Sequence, residues 1–153
     1  MYMSMVGENF TILESEKPKI VAAWQDLAES NELLGVYDSV EGYLESFGYD
    51  FETDDDGNLS YFSAQSLREM QDFDEMRNWH ALMIAASTHI KTPGALKFKG
   101  DDQKFAWVFA GGFFECSENE IDAVLKEKLA SWREMKKIED NLVAAPKSKI
   151  IKL

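Results

Sequence analysis

Apolar residues recur at steps of three and four positions along several segments of the chain. This spacing places them on one face of a helix. In the first segment Ile20, Trp24 and Ala28 follow it, and in the second Tyr43 and Phe47 do so. Four helices are therefore predicted, over residues 18–34, 40–47, 72–90 and 117–142.

Residues near the ends of these segments suit helix termini. Gly35 follows the first segment, and glycine readily adopts the left-handed conformation that ends many helices. Asp38 precedes the second segment and has Glu41 three positions later, which is the capping-box spacing. Ser117 and Glu120 form a second box of this kind. These signals predict caps at Asp38 and Ser117.

Alternating apolar and polar residues, the period of a half-buried strand, fill the segments between the helices. One such pair flanks Asp56-Gly57, a dipeptide typical of tight hairpin turns. Residues 104–109 carry apolar side chains on both faces, which predicts an inner strand. Five strands are predicted, over residues 49–53, 58–62, 95–99, 104–109 and 113–116.

The predicted element order is α-α-β-β-α-β-β-β-α. Short turns between strands imply antiparallel pairing, so we expect an α+β domain. Its antiparallel sheet should have four to five strands, with helices packed mainly on one face. The apolar periodicity fades after Leu142 and Pro146 follows. Residues 1–145 are therefore predicted to form a single acidic domain, and residues 146–153 a basic C-terminal tail.

Charge is the strongest compositional signal. The chain has 153 residues, of which 45% are hydrophobic, and its formal net charge is −12. Residues 1–76 hold 18 acidic and 3 basic side chains, a net of −15, whereas residues 126–153 hold 4 acidic and 8 basic ones, a net of +4. An acidic body repels nucleic acid and anionic membranes and attracts basic surfaces. Solubility alone would also account for such acidity.

The composition also indicates a compartment. Cys116 is the single cysteine, so the chain can form neither an internal disulfide nor a multi-thiolate zinc site. The first ten residues lack the basic and apolar regions of a signal peptide. The longest apolar runs are about six residues, far short of the roughly 20 that span a membrane. We therefore expect a cytoplasmic protein without membrane contact.

Two patterns suggest metal binding but lack essential ligands. Residues 52–63 place acids and Gly57 as a calcium loop would, but Ser63 stands where the bidentate glutamate is required. His80 and His89 are nine positions apart on one predicted helix, so they point to opposite sides. We expect no metal site and no cofactor.

Signals for catalysis are equally weak. Glu115 and Glu118 near Cys116 would raise the pKa of its thiol and oppose nucleophilic reactivity. Gly111-Gly112 lacks the lysine and hydroxyl residue of a phosphate-binding loop, so a hairpin turn is expected. No catalytic residue is predicted.

Four aromatic residues in the predicted strands have two possible roles. Such rings could stack nucleic-acid bases, but the neighbouring lysines alternate away from them. We therefore expect these rings in the core: Phe98, Phe105, Trp107 and Phe109.

The leading functional hypothesis is a non-enzymatic acidic protein that occupies a basic surface of a partner protein. Its specific form is a nucleic-acid mimic that inhibits a nuclease or a host-defence complex, of phage or mobile-element type. The alternatives are a housekeeping adaptor, a toxin-immunity domain, or a small carboxylate-based enzyme. Direct nucleic-acid binding is not expected. The residues predicted to contact the partner are Glu29, Glu32, Glu41, Glu45, Asp54, Asp55 and Asp56.

Overall fold

A computed structural model of the chain describes residues 2–30, 38–68, 75–101 and 103–152, without the side chains of 68, 118 and 139–152. The helices are α1 (Lys17–Ser30), α2 (Val40–Ser46), α3 (Glu75–Ala86) and α4 (Ile121–Lys152). The strands are β1 (Tyr2–Glu8), β2 (Asp50–Thr53), β3 (Leu59–Arg68), β4 (Gly94–Lys99), β5 (Lys104–Phe109) and β6 (Phe113–Ser117). Short 3₁₀ turns cover Glu14–Glu16, Ser87–His89 and Glu118–Glu120.

The strands form one antiparallel sheet in the order β2-β3-β1-β4-β5-β6. The predicted α+β class is confirmed, but the predicted number of four to five strands is wrong, because the sheet has six. The missed strand is β1, which lies between β3 and β4. The predicted order therefore lacked an initial strand.

Strand β1 has a central position although its sequence is a weak strand signal. Met3 and Met5 are buried, and Met5 pairs with Ala64 on one side and Phe98 on the other. Methionine and glycine replace the β-branched residues that usually mark a central strand. Burial of the two methionine side chains in the main core fixes β1 in place.

Both faces of the sheet are covered, but unequally. Helices α1, α2 and α3 pack over the main core, which includes Trp24, Trp79 and Trp107. Helix α4 covers a smaller apolar cluster on the opposite side of β4 and β5, where Ile121 and Leu125 meet Val108. Strand β5 lies between β4 and β6, so its predicted inner position is confirmed.

The predicted helix caps need correction. The hydroxyl of Ser39, not the carboxylate of Asp38, caps α2 by accepting a hydrogen bond from the Gly42 N–H at 2.9 Å. The hydroxyl of Ser117 lies 2.6 Å from a carboxylate oxygen of Glu120. Ser117 precedes the 3₁₀ turn that Glu120 ends, and α4 starts after that turn.

Several predicted helix ends fall elsewhere or outside the described residues. Gly35 and Asp72 lie outside them, while α1 is helical to Ser30 and α3 from Glu75. The backbone of α4 continues through Pro146 to Lys152, past the point where the apolar pattern fades. The division into a domain of 1–145 and a tail of 146–153 stays a prediction. Among the described residues, no helix is both long and apolar enough to cross a membrane.

Candidate acidic interaction surface

The predicted hairpin of residues 49–53 and 58–62 is confirmed as β2 and β3, and its turn carries the densest group of acids. The Gly57 N–H donates to the Asp54 carbonyl at 3.0 Å, so Asp55 and Asp56 are the central residues of the turn. Gly57 follows with φ +88°, a conformation that glycine adopts without strain. The turn is therefore centred one residue earlier than the Asp-Gly step suggested.

The carboxylate of Asp54 is committed to the turn itself. Its Oδ1 accepts hydrogen bonds from the backbone N–H groups of Asp56 and Asn58, both at 2.9 Å. Its Oδ2 accepts from the Asn58 side-chain amide at 3.1 Å. The backbone hydrogen bond from Asn58 is the main cause that lowers the pKa of Asp54, since it stabilises the charged form. Asp54 therefore shapes the turn.

The 3₁₀ turn before α1 supports the hairpin tip. The Glu14 N–H donates to the side-chain oxygen of Asn58 at 2.9 Å. The ammonium group of Lys17 pairs with Glu14 at 2.6 Å and with Glu41 at 3.3 Å. Burial opposes the charge on Lys17, but the two carboxylates outweigh it and raise the pKa of Lys17. Lys17 thus links the 3₁₀ turn before α1 to α2, and the carboxylate of Glu41 is engaged in this ion pair.

Four of the seven predicted contact residues remain exposed without an internal partner. The side chains of Glu29, Glu45, Asp55 and Asp56 are exposed, and none of them makes a hydrogen bond or ion pair within the described chain. Glu32 lies outside the described residues.

The predicted residues do not all share one surface. Lys17, beside the hairpin tip, begins α1, and Glu29 lies twelve positions further along the same helix. At 1.5 Å per residue this is about 18 Å. Glu29 therefore lies at the opposite end of α1 from the turn, and we separate it from the turn acids.

Two acidic residues on β2 were not among the predicted contact residues. Asp50 and Glu52 are exposed on this edge strand, whereas Phe51 between them packs against the core. They are about 7 Å apart, the two-residue repeat of a strand. The alternation in the sequence could have identified them once β2 was known to be an edge. We define the acidic edge as four residues, Asp50 and Glu52 on β2 and Asp55 and Asp56 in the turn that follows it, and we leave out Glu45, which lies on α2.

An exposed tyrosine adjoins the acidic edge. Tyr61 is 74% exposed and has φ +54°, which is unusual for a residue with a side chain. It sits where the register between β2 and β3 shifts, so a bulge turns it outward. Tyr61 and Asp54 line the same shallow hollow of about 330 Å³.

A buried carboxylate, Glu16, forms a separate charged cluster that the sequence did not reveal. Its oxygens lie 3.4 Å from the ammonium groups of Lys19 and Lys91 and 3.6 Å from Nδ1 of His89. Burial raises the pKa of Glu16, but the two lysines outweigh it, so the pKa is lowered. The cluster ties the turn before α1 to the end of α3, which is a structural role.

The remaining candidate residues occupy packed positions. His80 contacts the rings of Trp107 and Phe113, at centroid distances of 5.1 and 5.3 Å. Burial, followed by Glu120 and Glu115, raises the pKa of the Cys116 thiol. Among the residues with described side chains, no group of three or more His, Cys, Asp or Glu could hold a metal ion.

The glycine pair and the aromatic group lie where the sequence placed them. Gly111 and Gly112 connect β5 to β6, and Gly111 has φ +75°. The aromatic residues predicted for the core either belong to the main core or pack against it: Phe98, Phe105, Trp107 and Phe109.

Comparison with known proteins identifies no relative. No family model, curated protein or solved structure significantly matches this chain.

Proposed function

We propose that the protein is a non-enzymatic binding protein whose acidic edge occupies a basic surface of a partner protein. Its specific form is nucleic-acid mimicry, in which carboxylates take the positions of phosphates on a nuclease or host-defence complex. The observation that carries the proposal is the alignment of Asp50 and Glu52 on an edge strand that leads into Asp55 and Asp56.

The acidic edge is held in a fixed geometry before any partner binds. Asp54 and Asn58 close the turn, and Glu14 anchors it to the 3₁₀ turn before α1. A preorganised surface loses less conformational entropy on binding, which favours affinity. The carboxylates of Asp55 and Asp56 have no partner within the described chain, so binding breaks no internal ion pair there.

Tyr61 supplies an aromatic anchor beside the charges. Aromatic residues dominate the energetics of many interfaces, because a ring buries a large area with little loss of rotamer freedom. A left-handed conformation at a non-glycine residue costs about 1–2 kcal/mol, and such strain concentrates at functional sites. The exposure of Tyr61 and its strained backbone both support a role in partner contact.

The proposal is tested by reversing charges on the edge and capturing partners from a native host lysate. The edge variant is Asp55→Lys/Asp56→Lys. The matched control is Asp101→Lys/Glu127→Lys, which changes the net charge equally at exposed positions outside the acidic edge. Exposed charges contribute little to stability, so both variants should melt close to the wild-type temperature.

We expect the wild type and the control to retain a basic partner that the edge variant loses. Salt should weaken its binding steeply, because the Debye length shortens from about 10 Å at 0.1 M to about 3 Å at 1 M. Double-stranded DNA should displace the protein if it occupies a nucleic-acid groove. Retention of the same partner by the edge variant, without salt dependence, would refute the proposal.

A further inference from the structure

A groove of about 470 Å³ lies between α4 and the loops around β6, away from the acidic edge. Its walls come from the segment before β4, the turn between β5 and β6, strand β6, and α4. Phe114, Trp132 and Met135 supply its large apolar surfaces. The groove is therefore a concavity built from several elements.

Three lysines line the same groove. Lys91 comes from the segment before β4, and Lys128 and Lys136 come from α4. The ammonium group of Lys128 lies 4.1 Å from the centre of the Phe114 ring, a cation–π contact that places charge beside the apolar surface. Lys91 also lies 3.4 Å from Glu16, which neutralises part of its charge. The groove thus combines apolar and cationic groups on an otherwise acidic protein.

The apolar surface continues along α4 beyond the groove. Met135 is 59% exposed, and Ile138, one turn later, is 56% exposed. From Lys128 to Ile138 the helix rises about 15 Å. An apolar strip of this length fits an extended occupant better than a compact small molecule.

We propose that this groove docks an acidic amphipathic segment of a partner protein. Apolar side chains of that segment pack against Phe114, Trp132 and Met135, and its carboxylates pair with Lys128 and Lys136. Charge complementarity selects the partner, because an acidic segment is attracted by the lysines of the groove and repelled by the acidic edge.

The geometry and the net charge disfavour two other occupants. A flat membrane surface does not fit a concave groove whose walls come from α4, β6 and two connecting segments. The net charge of −12 opposes both an anionic membrane and a second copy of the chain.

The groove is independent of the proposed function. It lies near the β6 edge, whereas the acidic edge lies on β2, five strand spacings or about 24 Å away. The two surfaces have opposite charge and would bind different partners. One can therefore fail without the other.

The test uses a synthetic 14-residue peptide labelled with fluorescein, in which leucines form one helical face and glutamates fill the rest. The comparison peptide carries lysine in place of every glutamate. Binding is followed by fluorescence anisotropy with the full chain. The groove variant is Lys128→Glu/Lys136→Glu, and the matched control is Lys99→Glu/Lys126→Glu, at exposed positions that do not line the groove.

We expect the acidic peptide to bind and the basic peptide not to bind. The groove variant should weaken binding at least about tenfold, which is about 1.4 kcal/mol, and the control should leave it within about twofold of wild type. Met135→Ala should weaken binding, whereas Ile84→Ala, a truncation of another exposed apolar residue on α3, should not.

Three results would overturn the proposal. The first is no binding at about 100 μM acidic peptide, where micromolar complexes are well populated. The second is equal loss of affinity in the groove and control variants. The third is that something other than an acidic segment occupies the groove. A second copy of the chain would appear as a dimer in sedimentation that the groove variant abolishes. A membrane would appear as groove-dependent binding to phosphatidylserine vesicles in the absence of peptide binding.

Discussion

Asp54 and Asn58 hold the β2–β3 turn closed through both backbone and side-chain groups. The Asp54 N–H donates to the Asn58 carbonyl at 3.0 Å, and the Asn58 N–H and side-chain amide donate to the two carboxylate oxygens of Asp54 at 2.9 and 3.1 Å. Asp54 therefore stabilises the turn, and the turn exposes the carboxylates of Asp55 and Asp56 to solvent.

The first prediction separates these roles. Asp54→Ala should lower the melting temperature by several degrees, because it removes the acceptor for three donors in the turn. Asp55→Ala should leave the melting temperature unchanged, since its side chain has no partner within the described chain. Thermal unfolding followed by circular dichroism measures both. Equal melting temperatures for the two variants would contradict the assignment of Asp54 to the turn.

A second prediction concerns the turn glycine. Gly57→Ala places a side chain at φ +88°, where a Cβ atom would also lie 2.6 Å from a carboxylate oxygen of Glu14. The left-handed conformation alone should cost about 1–2 kcal/mol of unfolding free energy. Urea unfolding measures this cost, and Gly112→Ala, at a glycine outside the left-handed region, is the control. An unchanged midpoint for Gly57→Ala would show that the turn relaxes freely.

The strands that the sequence predicted well are those with a local signature. The strand predicted over residues 104–109, from two apolar faces and flanking turn residues, has the same bounds as β5. Strand β1 has no such signature, and its partners, Ala64 and Phe98, are about 60 and 90 positions away along the chain. Pairing over that separation depends on the assembled sheet, which a local pattern does not encode.

The acidic surface was predicted in part for a similar reason. The sequence identified Asp55 and Asp56, because three consecutive acids in a turn must be largely exposed. It could not show that Lys17 would neutralise Glu41, since the two residues are brought together by the packing of α1 near α2. It also could not show that β2 is an edge, which is what exposes Asp50 and Glu52.

A third prediction tests the aromatic core. The ring of Trp79 is fully buried and stacks on Tyr43 with a centroid distance of 5.6 Å. Trp79→Ala should therefore cost about 3–5 kcal/mol of unfolding free energy, through lost contacts and the cavity that remains. Trp132→Ala is the matched control, because that ring is only partly buried on α4 and should cost less than about 1 kcal/mol. Similar losses for both variants, measured by urea unfolding, would place the core elsewhere.

The last prediction concerns the pH dependence that Glu16 imparts. Its folded-state pKa is lowered from the usual 4.5, so the folded protein favours the charged carboxylate more than the unfolded chain does. A lowered folded pKa gives stability that is fully present above the unfolded pKa and is lost as the pH falls through the folded pKa. Glu16→Gln should therefore destabilise the protein at neutral pH.

We expect that loss to be about 1–2 kcal/mol, because the carboxylate is buried but Lys19 and Lys91 are more than half exposed and screened by solvent. The difference between wild type and Glu16→Gln should still be present at about pH 5.5 and should shrink below about pH 4.5. Urea unfolding across this range measures it, with Glu29→Gln as an exposed control that should follow the wild type throughout. A difference that persists unchanged to about pH 3 would mean that Glu16 stabilises the fold through packing or hydrogen bonding and not through its charge.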